Sequence, residues 1–173
     1  MNLEINQNTE KSEVFAQIAS ELAKLGFNVA KQDQTRPWGG FFVLDESQAP
    51  QFAELYFPHL EMSDIQITNK LSPKILVVAP EKRLSWQYHF RRAEIWKVIA
   101  GTTVGVKTSA TDEEGEEVPA YESGSFIQLE KGERHRLIGL ESWGVVAEIW
   151  QHTDPENPSD EDDIVRVQDD FGR

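Results

Sequence analysis

Seven short apolar or β-branched runs follow one another from residue 74 onward, and their spacing restricts the fold more than any other feature. They lie at 74–79, 85–90, 94–100, 102–108, 126–129, 135–138 and 145–150, with Gly and Pro in the connections. Many short strands at such intervals predict an all-β fold, a closed barrel or jelly roll. Residues 112–117, acidic and carrying Gly115, are expected to form the hairpin loop between its halves. The N-terminal part reads differently. Val14, Phe15, Ile18, Leu22 and Leu25 form one helical stripe over 12–25, and Gly26 is a natural stop. That stripe is expected to face the core or a dimer contact. Arg36-Pro37-Trp38-Gly39-Gly40 reads as a turn before a strand at 41–44, and a second short helix is expected at 50–57. The division expected is an N-terminal helical extension at 1–35 and a β-barrel domain at 36–173.

A chain of 173 residues suits one domain able to bury a core without covalent staples. Cysteine is absent, which excludes disulfides, thiolate ligands and a cysteine nucleophile. The formal net charge of −13 argues against nucleic acid as a partner. It also requires any site for an anionic ligand to gather Arg or Lys at its mouth. The acidic runs at 112–117 and 160–163 are expected as solvated loops. No apolar stretch reaches the length of a membrane helix, and no basic start with an apolar run opens the chain. A cytoplasmic protein with no membrane partner is therefore expected.

Chemistry concentrates in two segments. The first carries Gln87, His89 and Glu94; the second carries His135 in Glu130-Lys131-Gly132-Glu133-Arg134-His135. Together Gln87, His89, Glu94 and His135 form an N2O2 donor set for one divalent ion. Two imidazoles, a carboxylate and an amide oxygen suit zinc, manganese, iron or nickel better than calcium, which prefers more oxygens. Period two puts Gln87 and His89 on one strand face, and Glu94, Trp96 and Val98 on one face of the next. Both sets are expected to point into the barrel mouth.

These segments resemble the two motifs of the cupin superfamily, with Gln87 in place of the first histidine and Gly139 in place of the closing asparagine. Gln87-Tyr88-His89-Phe90-Arg91-Arg92-Ala93-Glu94-Ile95-Trp96 resembles the Q-x-H-x-x-R-x-E-x-W signature of type II mannose-6-phosphate isomerases, in their C-terminal isomerase domain. Arg36-Pro37-Trp38-Gly39, His135-Arg136-Leu137 and the ending Glu161-Asp162-Asp163-Ile164-Val165-Arg166 resemble three further segments of that family. Asp169-Asp170-Phe171-Gly172-Arg173 matches its terminus, with Phe171 in place of a tyrosine. The stretch between Glu148 and Glu161 is longer than in the family.

The resemblance implies a single cupin barrel, one divalent metal ion, a homodimer, and aldose–ketose isomerisation of a phosphosugar. Mannose 6-phosphate to fructose 6-phosphate is the leading reaction. Zinc is the first expectation for the ion, with manganese, iron, cobalt or nickel as alternatives. Isomerisation moves a proton between C1 and C2 through an enediolate, so a base is needed beside the ion. Glu148, a lone acid in the run 145–150, is the candidate base; an acid held by a neighbouring arginine is the alternative reading. Arg92 is the second candidate catalytic residue. Arg36, Arg136 and Arg173 are the candidate phosphate ligands, because arginine's fork matches phosphate oxygens. Another phosphosugar (a heptose or glucose phosphate), a non-catalytic sugar-binding cupin and a metal-dependent oxygenase are the competing functions. His152 is expected in a solvated loop, Lys70 and Lys74 on a solvated edge, and Trp96 and Trp150 in the core.

Overall fold

The stripe at the N-terminus forms helix α1 (Lys11–Lys24), which buries Val14, Phe15, Ile18 and Leu22. It ends in a Schellman closure: Phe27 N–H donates to the Leu22 carbonyl and Gly26 N–H to that of Ala23. Gly26 takes a φ of 81°, which glycine adopts without a Cβ penalty. The chain continues through β1 (Val29–Asp33), β2 (Gly39–Leu44) and a 3-10 turn (Glu46–Gln48). Helix α2 (Ala49–Tyr56) has Pro50 in its first turn, where a missing N–H costs no bond, and α3 (Met62–Ile65) is a single turn.

Strands then follow in quick succession: β3 (Lys74–Val78), β4 (Trp86–Tyr88), β5 (Arg92–Val98), β6 (Val104–Ser109) and β7 (Ala120–Tyr121). They are completed by β8 (Phe126–Leu129), β9 (Arg134–Gly139), β10 (Gly144–His152) and β11 (Val165–Gln168). This computed structural model describes residues 1–173. A six-stranded sheet in the order β1-β2-β3-β10-β5-β8 faces a five-stranded sheet in the order β11-β4-β9-β6-β7. All pairings are antiparallel. The expected all-β barrel is present. β1, β7, β11 and α3 were not anticipated; they are short, and β1 and β11 are mostly exposed, so they lack a clear apolar alternation.

Two apolar clusters hold the layers together. One lies between the helices and the outer face of the six-stranded sheet, where α1 and α2 meet Phe42, Ile75, Val77, Ile95, Ala147 and Ile149. The segment up to residue 35 thus supplies a helix to the main core and an edge strand to the main sheet. The α1 stripe is buried within the chain itself, so it does not present a dimer face. The second cluster fills one end of the barrel with Val78, Val98, Val104, Val106, Leu137 and Val146. Gly139 at the end of β9 fits because a Cβ there would overlap the Ala79 carbonyl.

Alternation across these strands sets up the other end of the barrel. On β10, Val145, Ala147 and Ile149 pack toward the helices, and Val146 turns into the barrel. Glu148 and Trp150 share the parity of Val146. On β5, Ile95 faces the helices, so Glu94 and Trp96 face inward. Inward residues are apolar at one end and polar at the other.

Candidate metal centre and pocket

His89, Glu94 and His135 meet at the polar end of the barrel, each only 2% exposed. One ligand atom from each lies within 4.8 Å of the others. His89 Nε2 stands 3.0 Å from Glu94 Oε1, and His135 Nε2 stands 3.3 Å from Glu94 Oε2. β9 brings His135 opposite Gln87, its direct cross-strand partner on β4, so the fourth expected donor borders the same space. Gln87 Oε1 accepts a 2.6 Å hydrogen bond from Ser85, which orients the amide.

Backbone carbonyls fix both imidazoles. His89 Nδ1 lies 2.7 Å from the Asp163 carbonyl, and His135 Nδ1 lies 3.0 Å from that of Glu133. A carbonyl only accepts, so both Nδ1 atoms carry hydrogens and both Nε2 lone pairs turn toward Glu94. Burial pushes the His89 imidazole below its usual range, which keeps that ring neutral. Burial also opposes a charge on Glu94, but neighbouring positive charge, with the Arg92 guanidinium 2.8 Å away, outweighs it and holds the carboxyl well below its ordinary range. Glu94 Oε2 and His135 Nε2 are buried without a hydrogen-bond partner. Two imidazole lone pairs and a carboxylate converge on one point, and of these acceptors His135 Nε2 and Glu94 Oε2 have no donor, which a divalent cation would supply. The donor set therefore fits a metal ion.

A pocket opens onto this centre. Gln87, Glu94, Arg92 and Glu148 border it from within, Trp38, Trp96 and Trp150 form walls, and Arg36, Lys74, Glu161, Arg166 and Arg173 surround its mouth. Glu148 is buried and accepts from two indoles, Trp96 Nε1 at 2.8 Å and Trp150 Nε1 at 2.9 Å. Neither partner is an arginine. Burial, reinforced by the negative charge of Glu94, pushes the Glu148 carboxyl up to about 8. Trp38 Nε1 is a buried donor without a partner on the pocket wall. Trp38, Trp96 and Trp150 are thus core aromatics that also shape the pocket.

The arginines divide. Arg36 and Arg173 line the pocket, each paired with a nearby acid, Asp33 at 3.0 Å and Asp169 at 2.9 Å. Arg92 borders the pocket, but its donors are directed to Glu94, Ser159 and the Asp160 carbonyl. Arg136 is not at the site. It follows inward-facing His135 on β9 and so turns outward, where it is 0% exposed and donates to Glu114 at 2.8 Å and Gln168 at 2.9 Å. Arg136→Met is expected to cost roughly 1–3 kcal/mol of stability with unchanged ligand affinity, read by thermal melts and ligand titration.

Two further cations line the pocket, Lys74 and Arg166. Lys74 is buried rather than on a solvated edge; its ammonium pairs with Glu161 at 2.5 Å and lies 3.8 Å from the Trp150 ring centroid. Arg166 lies on β11 opposite Gln87. Burial and the nearby charges of Arg173 and Arg36 push its guanidinium below the usual range. The run 160–163 is only partly solvated. Asp163 is buried, accepts from the Phe90 and Arg91 N–H groups, and receives the Ser159 hydroxyl at 2.6 Å. In the other run, Glu114 is the ion-pair partner of Arg136.

His152 is also buried, not in a solvated loop. Its Nδ1 accepts from Ser159 N–H at 3.0 Å and its Nε2 meets Ser72 Oγ at 3.2 Å, which ties the segment after β10 to the barrel. Burial first, then the charges of Lys70 and Arg92, push the ring down to about 4. The unfolded ring binds its proton near 6.5 and the folded ring near 4, so stability falls as pH drops through that interval. Melting temperatures at pH 7 and pH 5 are expected to diverge more for wild type than for His152→Gln.

Two antiparallel sheets closed around an inward His/Glu donor set define a cupin barrel. Residues 45–169 match the family described as Mannose-6-phosphate isomerase C-terminal, and the chain belongs to that family. The Xanthan biosynthesis protein XanB of Xanthomonas campestris pv. campestris is 30% identical over 132 residues, 73% of this chain. The chain spans a quarter of that relative's length, 25%. Among solved structures, the capsular polysaccharide assembling protein CapF from Staphylococcus aureus superposes with a TM-score of 0.52 at 14% identity, over 80% of this chain and 34% of CapF. Another CapF crystal structure gives 0.51 at 12% identity, over 80% and 31%. These likenesses carry the fold alone. No helix is long and apolar enough to cross a membrane.

Proposed function

We propose that this chain is a metal-dependent aldose–ketose isomerase of a phosphosugar, interconverting mannose 6-phosphate and fructose 6-phosphate through an enediolate. The observation that carries the reading is one pocket that joins a buried divalent-cation donor set to a cationic mouth. In a chain of net charge −13, Arg36, Lys74, Arg166 and Arg173 gathered at one opening supply the local positive field an anionic ligand needs. The family membership makes a sugar phosphate the anion of choice.

His89, Glu94 and His135, with Gln87, would hold the ion. Bound there, it would supply Lewis-acid polarisation of a carbonyl and positive charge beside developing oxyanions. Glu148 borders the same pocket and is the proton carrier. As a carboxylate it takes the C2 proton of the aldose, and as the acid it returns that proton to C1. Its two indole bonds hold the carboxylate in place, and its raised pKa makes it a stronger base than an ordinary glutamate. Trp38 Nε1 offers a donor to a sugar hydroxyl. Arg166 and Arg36 receive the phosphate, with Arg173 beside them.

The test is a coupled assay on protein stripped by chelator and reloaded with zinc, manganese, cobalt or nickel. Mannose 6-phosphate is supplied and fructose 6-phosphate followed. Turnover that returns with an ion is the expected result. Stoichiometric ion binding with no turnover on any hexose or heptose phosphate overturns the isomerase in favour of a sugar-binding role.

A further inference from the structure

We infer that Arg92 is a resident counter-cation of the metal centre, competing with the divalent ion for His89 and so weakening the centre's hold on that ion. The inference rests on the metal-centre reading above. His89 donates from Nδ1 to the Asp163 carbonyl, which leaves one acceptor on the ring, the Nε2 lone pair. Arg92 Nη2 lies 3.2 Å from that atom, and Arg92 Nε donates to Glu94 Oε1 at 2.8 Å. One lone pair accepts from a guanidinium or binds an ion; it does not do both. Arg92 therefore engages half of the donor set, His89 Nε2 and Glu94 Oε1. The other half, His135 Nε2 and Glu94 Oε2, has no hydrogen-bond partner.

Arg92 is also anchored in place. Nη1 donates to Ser159 Oγ at 2.9 Å and to the Asp160 carbonyl at 3.0 Å, and the guanidinium carbon lies 3.6 Å from the Trp150 ring centroid. An entering ion must displace the single contact at Nη2, while these anchors keep the guanidinium charge beside it. Two fixed positive centres sharing Glu94 repel each other in a buried site, so the arginine opposes the ion even after yielding His89. The same charge neutralises Glu94 when no ion is bound, so it stabilises the stripped protein. An affinity lowered in this way makes the ion exchangeable.

Calorimetric titrations with zinc and with manganese test this on stripped wild type, Arg92→Gln and His135→Ala, with melting curves in parallel. Arg92→Gln is expected to bind at least about tenfold more tightly, within the range by which groups around a metal's ligands shift affinity. Stripped Arg92→Gln is expected to melt below stripped wild type, and the gap to close on adding zinc. Equal or weaker binding by folded Arg92→Gln overturns the inference; if His135→Ala also loses binding, the centre itself stands. Absence of binding by wild type and by both variants overturns the centre and the inference together. If Arg92→Gln does not fold, the guanidinium 15N–1H signals of Arg92 in wild type decide. They are expected to shift and exchange faster as zinc saturates the protein, and unchanged signals at saturation overturn the inference.

Discussion

Glu148→Gln is expected to lower kcat by roughly 10²–10⁴-fold, the contribution typical of a positioned acid–base group, with ion affinity retained. The amide keeps the volume and one acceptor for the paired indoles, so KM should change far less than kcat. Its NH2 faces one indole N–H, and parallel melting curves separate that local strain from loss of chemistry. An unchanged kcat would exclude Glu148 as the proton carrier. The same carboxyl predicts a pH effect on stripped wild type. The folded group keeps its proton up to about 8, whereas the unfolded one releases it near 4.5. The folded state therefore binds more protons between those values, and stability falls as pH rises through them. The total loss is about 5 kcal/mol at most. Glu148→Gln should remove that slope. In the loaded protein a cation beside Glu94 favours the carboxylate, so activity should climb with pH over a range lying below 8.

His135→Ala is expected to take ion binding out of the measurable range, a larger effect than the roughly 10–100-fold that follows loss of an outer partner. The substitution removes an atom that has no other partner in the fold, since His135 Nε2 makes no hydrogen bond. The ring's one remaining hydrogen bond is to the neighbouring Glu133 carbonyl, so the barrel should persist. Mass spectrometry of the purified protein, or calorimetry with zinc, checks this directly. Turnover by His135→Ala at the wild-type rate would exclude His89, Glu94 and His135 as the catalytic centre.

Much of this site was legible in the chain because its signal is local. Gln87, Glu94 and His135 stand at strand positions and His89 directly follows β4, with parity that follows from neighbouring apolar residues, and the barrel strands showed in their short β-branched runs. The same alternation carried the answer for Arg136: a residue beside an inward histidine on a strand points outward. Family-like position alone had placed it with the phosphate ligands. Lys74 was not legible in this way. All five residues of β3 are buried, because helices cover one face and the barrel the other, so the sequence gives no inward side. Arg166 depended on a longer-range event. Its strand returns from the C-terminus to pair beside β4, which sets Arg166 across from Gln87. The long stretch after Glu148 read as a departure from the family and as acidic loop. The fold instead uses Asp163 to fix His89 and Ser159 to anchor Arg92.

By itself, the sequence determined the helix stripe and its glycine stop, most of the strands, and the candidate donors that share a face on each strand. Each of these rests on spacing within a few residues, where backbone geometry decides which side chains share a face. The tertiary structure alone decided which cations reach the pocket, which acids are solvated, and that two indoles rather than an arginine hold Glu148. Those outcomes depend on strands far apart in the chain packing against one another, and on burial that only closure of the barrel creates.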